Sequence, residues 1–220
     1  MLARKVGRIP KEAVILSAGE GLRLGAISSI LPKCLVKVKG RPLLQYQMDH
    51  LRQFGIVKIV VTVQSKHEGI MRQEMGDSVI LSLEDKPCGT AAGLKLALRF
   101  IEEETLIVAN ADDIADIDIT GLANIGAPAI CIYPARYNFG VVHLDGNKVL
   151  SFEEKPALPF YTSLGWYCLS SDTPLPDVGS LERDVFPNLV VRGLLRAHYH
   201  GGFWVTINTL KDIKEAEEAL

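Results

Sequence analysis

Val14-Ile15-Leu16-Ser17-Ala18-Gly19-Glu20-Gly21-Leu22-Arg23-Leu24, followed by Leu31-Pro32-Lys33, is the part of this 220-residue chain from which the rest can be read. Residues 14–16 form a short, β-rich apolar run, the pattern of a buried first strand. The run ends in small residues, Ser17, Ala18 and Gly19, with Gly21 one place beyond Glu20. Their backbone N–H groups stay uncovered, so an anionic ligand can approach the main chain closely. Arg23 and Lys33 follow, ten residues apart, on a segment that Pro32 prevents from continuing as a helix. A small-residue loop, a guanidinium and an ammonium form a cradle for a polyphosphate rather than for one phosphate. Taken alone, the glycines fit ordinary turn punctuation as well.

Two familiar phosphate loops are excluded. The dinucleotide fingerprint G-x-G-x-x-G needs Gly at 24, where Leu24 stands, and the second strand ends Val63-Gln64 without an acid to hold a ribose. The P-loop string Gly-Lys-Ser/Thr does not occur.

Hydrophobic residues make up 48% of the chain, enough for a full core, and the net charge of −2 gives no basic surplus for nucleic acid. The four cysteines are scattered, with no C-x-x-C pair to suggest zinc or thioredoxin-type chemistry. Isolated cysteines fit a reducing cytoplasm. Residues 1–11 are basic but lack the apolar core of a signal peptide. No apolar run approaches the roughly 18 residues of a membrane span.

Past the loop, residues 34–38 read as a short extended piece. Apolar spacing predicts helices over 43–54, 67–75 and 90–103, and strands over 56–63, 79–83 and 106–109. Strands alternating with helices imply an α/β fold, a mostly parallel doubly wound sheet of Rossmann-like type. The texture changes after residue 120. Short strands are expected over 129–133, 141–144, 148–152, 163–169 and 194–199, with a hairpin turn at Asp145-Gly146-Asn147. Helices are expected over 181–191 and 211–220. The expectation is one domain over 1–220, with a nucleotide-binding half (1–120) and a half for the second substrate (121–220).

Further stretches carry candidate chemistry. Glu84 to Gly89 and Thr90 lie where a third strand ends, the side of an open α/β sheet on which ligands bind. Gly89 and Thr90 open a helix and offer N–H groups to a base or phosphate; the alternative is an ordinary cap beside a solvated acid. Asn110-Ala111-Asp112-Asp113 follows the fourth strand, where a carboxylate can hold Mg²⁺ against phosphate oxygens. Asp116 and Asp118 read as solvated acids. Arg196, His198 and His200 alternate on one strand face, a solvated or substrate-facing stripe rather than a zinc site.

The first stretch resembles the signature of the sugar-1-phosphate nucleotidyltransferases: small-small-Gly-x-Gly-Thr-Arg-Leu, then Pro-Lys or Ser-Lys about ten residues on. Leu22 replaces the usual Thr. Pro87-Cys88-Gly89-Thr90-Ala91 resembles the family's base-reading loop, with Glu84 where the base edge is often read. Asn110-Ala111-Asp112 resembles its Asn-Gly-Asp, which aligns Asp112 with the metal ligand. Phe139-Gly140-Val141 and Glu154-Lys155-Pro156 resemble Tyr-Gly-Val and Glu-Lys-Pro, which hold the sugar and its phosphate. Ser163 stands for the Asn of Asn-x-Gly-x-Tyr, while Gly165 and Tyr167 fit. Trp204 to Thr209 matches Trp-x-Asp-Ile-Gly-Thr except at two positions: Thr206 replaces the second metal-binding Asp, and Asn208, a weaker oxygen ligand, replaces the Gly.

The resemblance implies Mg²⁺-dependent transfer of a nucleotidyl group from an NTP to a sugar 1-phosphate. Arg23 and Lys33 would be catalytic, on the leaving pyrophosphate and the α-phosphate. Ser17, Ala18, Gly19, Gly21, Glu84, Gly89 and Thr90 would bind nucleotide. Gly140, Glu154, Lys155 and Ser163 would bind the sugar phosphate, and Asp112, with Asn208 assisting, the metal. At Glu84 a carboxylate meets the two neighbouring donors of guanine better than the mixed edges of other bases, which favours GTP. Thr206 leaves open a non-catalytic subunit of the same fold, and the loop is shared with cytidylyltransferases for phosphoalcohols. A homo-oligomer is also left open.

Overall fold

The computed structural model describes residues 8–19, 31–137 and 139–220. Gly21 and Arg23 therefore lie outside the described residues. Strand β1 (Glu12–Leu16) leads into β2 (Lys37–Val38) and β3 (Arg41–Pro42), then helix α1 (Leu43–Gln53), β4 (Lys58–Gln64), α2 (Glu68–Met75), β5 (Ile80–Glu84) and α3 (Thr90–Ala97). Next come β6 (Thr105–Asn110), β7 (Asp113–Ala115), α4 (Ile119–Ile125), β8 (Ala129–Arg136), β9 (Val141–Asp145), β10 (Lys148–Glu153) and β11 (Ala157–Ser170). A π-helical turn (Leu181–Val185) precedes α5 (Phe186–Val191), β12 (Arg196–Tyr199), β13 (Trp204–Thr206) and α6 (Leu210–Ala219).

Seven strands form one sheet in the order β12-β8-β11-β6-β1-β4-β5. All neighbours are parallel except β11, which runs against both β6 and β8. The sheet thus runs through both halves of the sequence. Alternating side chains of β1 explain why it is buried on both faces. Ile15 packs with Met48 and Leu51 of α1, while Val14 and Leu16 pack with Leu94 of α3 and Leu181. From β1 the chain steps to β4 and β5 on one side, then returns to place β6 on the other. That reversal makes the carboxyl ends of β1 and β6 the topological switch point, where open α/β sheets bind ligands.

The expected order of elements is present, with differences that have local causes. The piece at 34–38 is a 3₁₀ turn (Lys33–Leu35) before the two-residue β2. Helix α3 stops at Ala97 and tightens into a 3₁₀ turn (Leu98–Phe100). Strand β11 starts at Ala157, earlier than its apolar run, because its first residues extend along β8 while largely exposed. Helix α4 and the β7–β13 ribbon were not expected. Asp118 caps α4 by accepting from the Gly121 N–H at 2.9 Å, and β7 pairs antiparallel with β13, setting Asp113 opposite Thr206. Val38, Leu43, Ile114, Ile207 and Ala216 form a small core around that ribbon. No described helix is long and apolar enough to cross a membrane.

Candidate functional site

A cavity of about 700 Å³ opens at the switch point. Its walls come from the ends of four parallel strands, through Leu16, Thr62, Glu84 and Asn110, and from the loops that follow them. Ser17, Ala18, Gly19, Lys33, Glu84, Gly89, Thr90, Asp112 and Asn208 all line it. Residues spread over nearly the whole sequence are thereby brought to one place.

The loop after β1 is held from its neighbours. The Leu16 carbonyl accepts from Ala111 N–H at 3.0 Å, and Ser17 N–H donates to Thr62 Oγ1 at 3.0 Å. Gln64 Nε2 donates to the Ala18 carbonyl at 2.8 Å. In a trans peptide the N–H points opposite to the C=O, so this bond turns the Gly19 N–H away from β4. Thr62 and Gln64 carry no motif. Their only signal was polarity inside an apolar run: Gln64, where a ribose-binding acid would stand, bonds to the chain itself.

Lys33 Nζ lies 2.7 Å from Asp112 Oδ2 and 3.0 Å from Asn208 Oδ1. Asn208 Nδ2 donates to Thr206 Oγ1 at 3.1 Å, which directs the amide oxygen toward Lys33. Thr206 therefore orients Asn208. Two oxygens converging on one cation suit a hard metal such as Mg²⁺, which takes one or two protein ligands and completes its shell with water and phosphate. The neighbouring Asp113 faces inward. It is 4% exposed and accepts from Trp204 Nε1 at 3.1 Å. Burial, then the Asp112 charge, push its carboxyl well above the usual range, against the hydrogen bonds from Trp204 and Thr206 and the Lys33 charge. A Cβ on Gly165 would come 2.7 Å from both Asp113 Oδ2 and Asn110 Nδ2, and its φ of +73° also suits glycine.

Glu84 forms the opposite wall. Burial raises its pKa, against hydrogen bonds from Cys88, whose Sγ lies 3.2 Å from Oε2. Its Oε1 rests where Gly93 has no side chain; a Cβ there would be 2.5 Å away. Gly89 adopts a φ of +95° and lies against the Gly179 carbonyl, which a Cβ would strike. That carbonyl accepts from Ala91 and Ala92 N–H at 3.1 and 3.4 Å. A ligand at this helix end is left the N–H groups of Gly89 and Thr90. The Thr90 hydroxyl donates to Glu182 Oε2 at 2.9 Å and accepts from Leu181 N–H.

A second cavity of about 960 Å³ is lined by Tyr133, Arg136, Lys155, Tyr161, Trp204 and Thr206, among others. Lys155 reaches it from a backbone φ of +49°, uncommon for a residue with a side chain. Gly140, Glu154 and Ser163 are not among its lining residues. Gly140 has a packing reason instead, because a Cβ there would strike the Phe152 ring. Glu154 and Ser163 are exposed.

The histidine stripe is only partly solvated. His200 is 5% exposed, with Nε2 at 3.0 Å from the Phe203 carbonyl and 3.2 Å from Asp116 Oδ1. Burial lowers the His198 pKa. Asp116 and Asp118 thus have structural partners, the His200 ring and the N-terminus of α4.

The nucleotidyl transferase family model matches residues 12–218. A D-glycero-α-D-manno-heptose 1-phosphate guanylyltransferase from Campylobacter jejuni is 31% identical over 66% of this chain and 68% of its own length. A mannose-1-phosphate guanyltransferase from Yarrowia lipolytica is 30% identical over 91% of this chain, which spans 61% of that relative. HddC from Yersinia pseudotuberculosis superposes with a TM-score of 0.74 at 25% identity, covering 94% of this chain and 98% of its own; it has also been solved with GMP-PN. The likeness extends over almost the entire sheet and is not confined to the glycine loop: the chain belongs to the nucleotidyl transferase family, among the sugar-1-phosphate nucleotidyltransferases.

Proposed function

We propose that the chain joins an NTP, GTP by preference, to a sugar 1-phosphate, giving an NDP-sugar and pyrophosphate. The observation that carries this reading is the switch-point cavity, where Ser17 to Gly19, Lys33, Asp112, Asn208 and Glu84 converge. Its volume lies within the ordinary range for small-molecule sites.

An acceptor phosphate oxygen is already ionised, so the reaction needs no general base. Catalysis consists of alignment and charge neutralisation in an in-line displacement. The Gly19 N–H, turned by Gln64, meets the triphosphate. Lys33 moves from the Asp112 carboxylate to the α-phosphate, and Arg23, outside the described residues, holds the leaving pyrophosphate. Asp112 and the Asn208 side-chain oxygen would hold Mg²⁺, which when bound neutralises charge on the phosphate oxygens. The acceptor takes the second cavity, with Lys155 as the point charge for its phosphate. Gly140, Glu154 and Ser163 support that cavity from outside its lining.

GTP rests on Glu84, whose carboxylate accepts from the N1–H and 2-amino group of guanine. The guanylyltransferase relatives and the GMP-PN complex of HddC support this choice. The four unpaired cysteines fit a cytoplasmic site of action, and we include a homo-oligomer in the proposal. Pyrophosphate release is the test, with GTP, UTP, dTTP, CTP and ATP each paired with mannose, glucose and heptose 1-phosphates and with a non-sugar phosphoalcohol. Turnover is expected with GTP first. Turnover only with CTP and a non-sugar phosphoalcohol overturns the substrate class. Nucleotide binding without any turnover overturns catalysis and points to a binding subunit.

A further inference from the structure

We infer that Gln47, on α1, is a positioning residue for the acidic turn that carries Asp112. Its Nε2 lies 2.6 Å from the Asn110 carbonyl and 2.9 Å from the Asp113 carbonyl. One amide nitrogen thus places both hydrogens on the two ends of a four-residue turn. Two carbonyls accept only from a donor, so the amide cannot be flipped. Its Oε1 is left buried without a hydrogen-bond partner among the described residues. Gln47 is 1% exposed and sits among Leu44, Met48 and Leu51, all fully buried. An apolar residue would suit that helix face better, since an unpaired buried amide oxygen destabilises. What the glutamine adds is the geometry of the turn.

Two further main-chain groups of the turn are also held. Ala111 N–H donates to the Leu16 carbonyl at 3.0 Å, and the Asp112 carbonyl accepts from Ile207 N–H at 2.8 Å. β1, residue 207 and α1 therefore fix the peptide from three sides. Asn110, Ala111 and Asp112 face the cavity, whereas Gln47 does not line it. Gln47 acts through Asp112 and touches no ligand. A residue behind a metal ligand typically governs metal affinity by restraining that ligand. The inference rests on the reading of Asp112 as the carboxylate that holds Mg²⁺ against the triphosphate.

The test uses the whole chain with GTP and Mn²⁺, following free Mn²⁺ by electron paramagnetic resonance. Q47M keeps the length of the side chain and removes its donor. Mn²⁺ affinity of the GTP complex should fall about 10-fold, while metal-free GTP binding stays within about twofold, since Gln47 lines no part of the cavity. Amide hydrogen exchange over 110–113 should quicken. Q47N, whose shorter amide cannot span both carbonyls, is expected to shift the same way and serves if Q47M does not fold. Lower thermal stability with unchanged Mn²⁺ affinity and unchanged exchange in the turn would overturn the inference, leaving Gln47 as a packing residue. D112N, measured in parallel, should lose the Mn²⁺ response. If it keeps the response, the reading of Asp112 fails, and the metal role of Gln47 with it.

Discussion

The two cavities are built from different material. The first is walled by the ends of buried parallel strands, and its loops are tied by side chains with little exposure, Thr62, Gln64 and Gln47. The second is walled partly by Phe139, Phe160 and Tyr161, each more than half exposed. Beside it stands the β9–β10 ribbon, which has no third strand among the described residues. In the proposed reading, the chemistry common to every NTP, the triphosphate and its counter-charges, falls on the buried frame. The same reading puts selection of the acceptor on a surface where side chains can change without disturbing a core. Substitutions on either side can break this proposed division of labour.

The largest effect should come from the first cavity. Lys33→Ala removes the cation beside Asp112 and should lower kcat/KM by on the order of 10² or more, whichever sugar is used. Steady-state kinetics with two acceptors checks this; near wild-type activity would remove Lys33 from the mechanism. Lys155→Ala should act on the other side of the division. Loss of a charged hydrogen bond predicts a KM for the sugar phosphate raised about 10- to 100-fold, with nucleotide KM unchanged. A rise in both constants would mean the cavities do not act separately.

Glu84→Gln acts within the first cavity alone. One mismatched polar pair predicts a fall of roughly 10-fold in the preference for GTP over UTP, read from competing rates. An unchanged ratio would show that the base is read elsewhere. A smaller effect is expected where the two walls meet, at the Thr206–Asn208 hydrogen bond. Thr206→Asp adds a carboxylate beside Asn208 and should lower the half-saturating Mg²⁺ concentration a few-fold, roughly the worth of one added ligand charge. A titration of activity against Mg²⁺ that stays in place, or moves up, would assign the missing ligand to another group.

The smallest effect belongs to the far end of the sheet. Glu12, at the start of β1, accepts from Glu102 and Glu103 N–H at 2.6 and 2.9 Å and pairs with Lys58 at 3.0 Å. Burial alone would raise its pKa, but these partners bring it below the ordinary value. A depressed folded pKa stabilises above the unfolded value, near pH 4, and that stabilisation disappears as pH falls through the folded one. Glu12→Gln should cost about 1 kcal/mol at pH 7, with wild type and variant converging in acid and kinetics untouched. Urea melts at pH 7 and pH 3 check it.

The sequence exposed the frame more fully than the details of the site. Apolar runs such as 56–63, bounded by Gly55 and a polar loop, announce buried strands, and their alternation with helices gives the parallel sheet. Most of the polar residues quoted for the nucleotide end also lie together. What stayed hidden depends on partners distant in the chain. The β7–β13 ribbon is three residues on each side, too short for periodicity, and forms because Ile114 and Ile207 share a core with α6. Asp112 and Asp113 are alike on paper, yet one faces the cavity and the other is buried against Trp204. Gln47 and Gln64 read as exceptions in apolar patterns, and only packing reveals what they hold. Gly140, Glu154 and Ser163 came from motif likeness, which carries no information about which way a ribbon turns.

The contact between Glu84 and Gly93 ties two positions into one inherited choice. A glycine inside a helix gives up about 1 kcal/mol relative to alanine, a standing pressure toward mutation at 93. Yet any side chain there would land on the Glu84 carboxylate. A lineage that gains a side chain at 93 must swing the Glu84 carboxylate out of its present place or shorten the acid, and one that needs the acid where it lies keeps the weaker helix. If Glu84 reads the base as proposed, base preference and the helix at 93 are therefore coupled, because each residue limits where the other can lie.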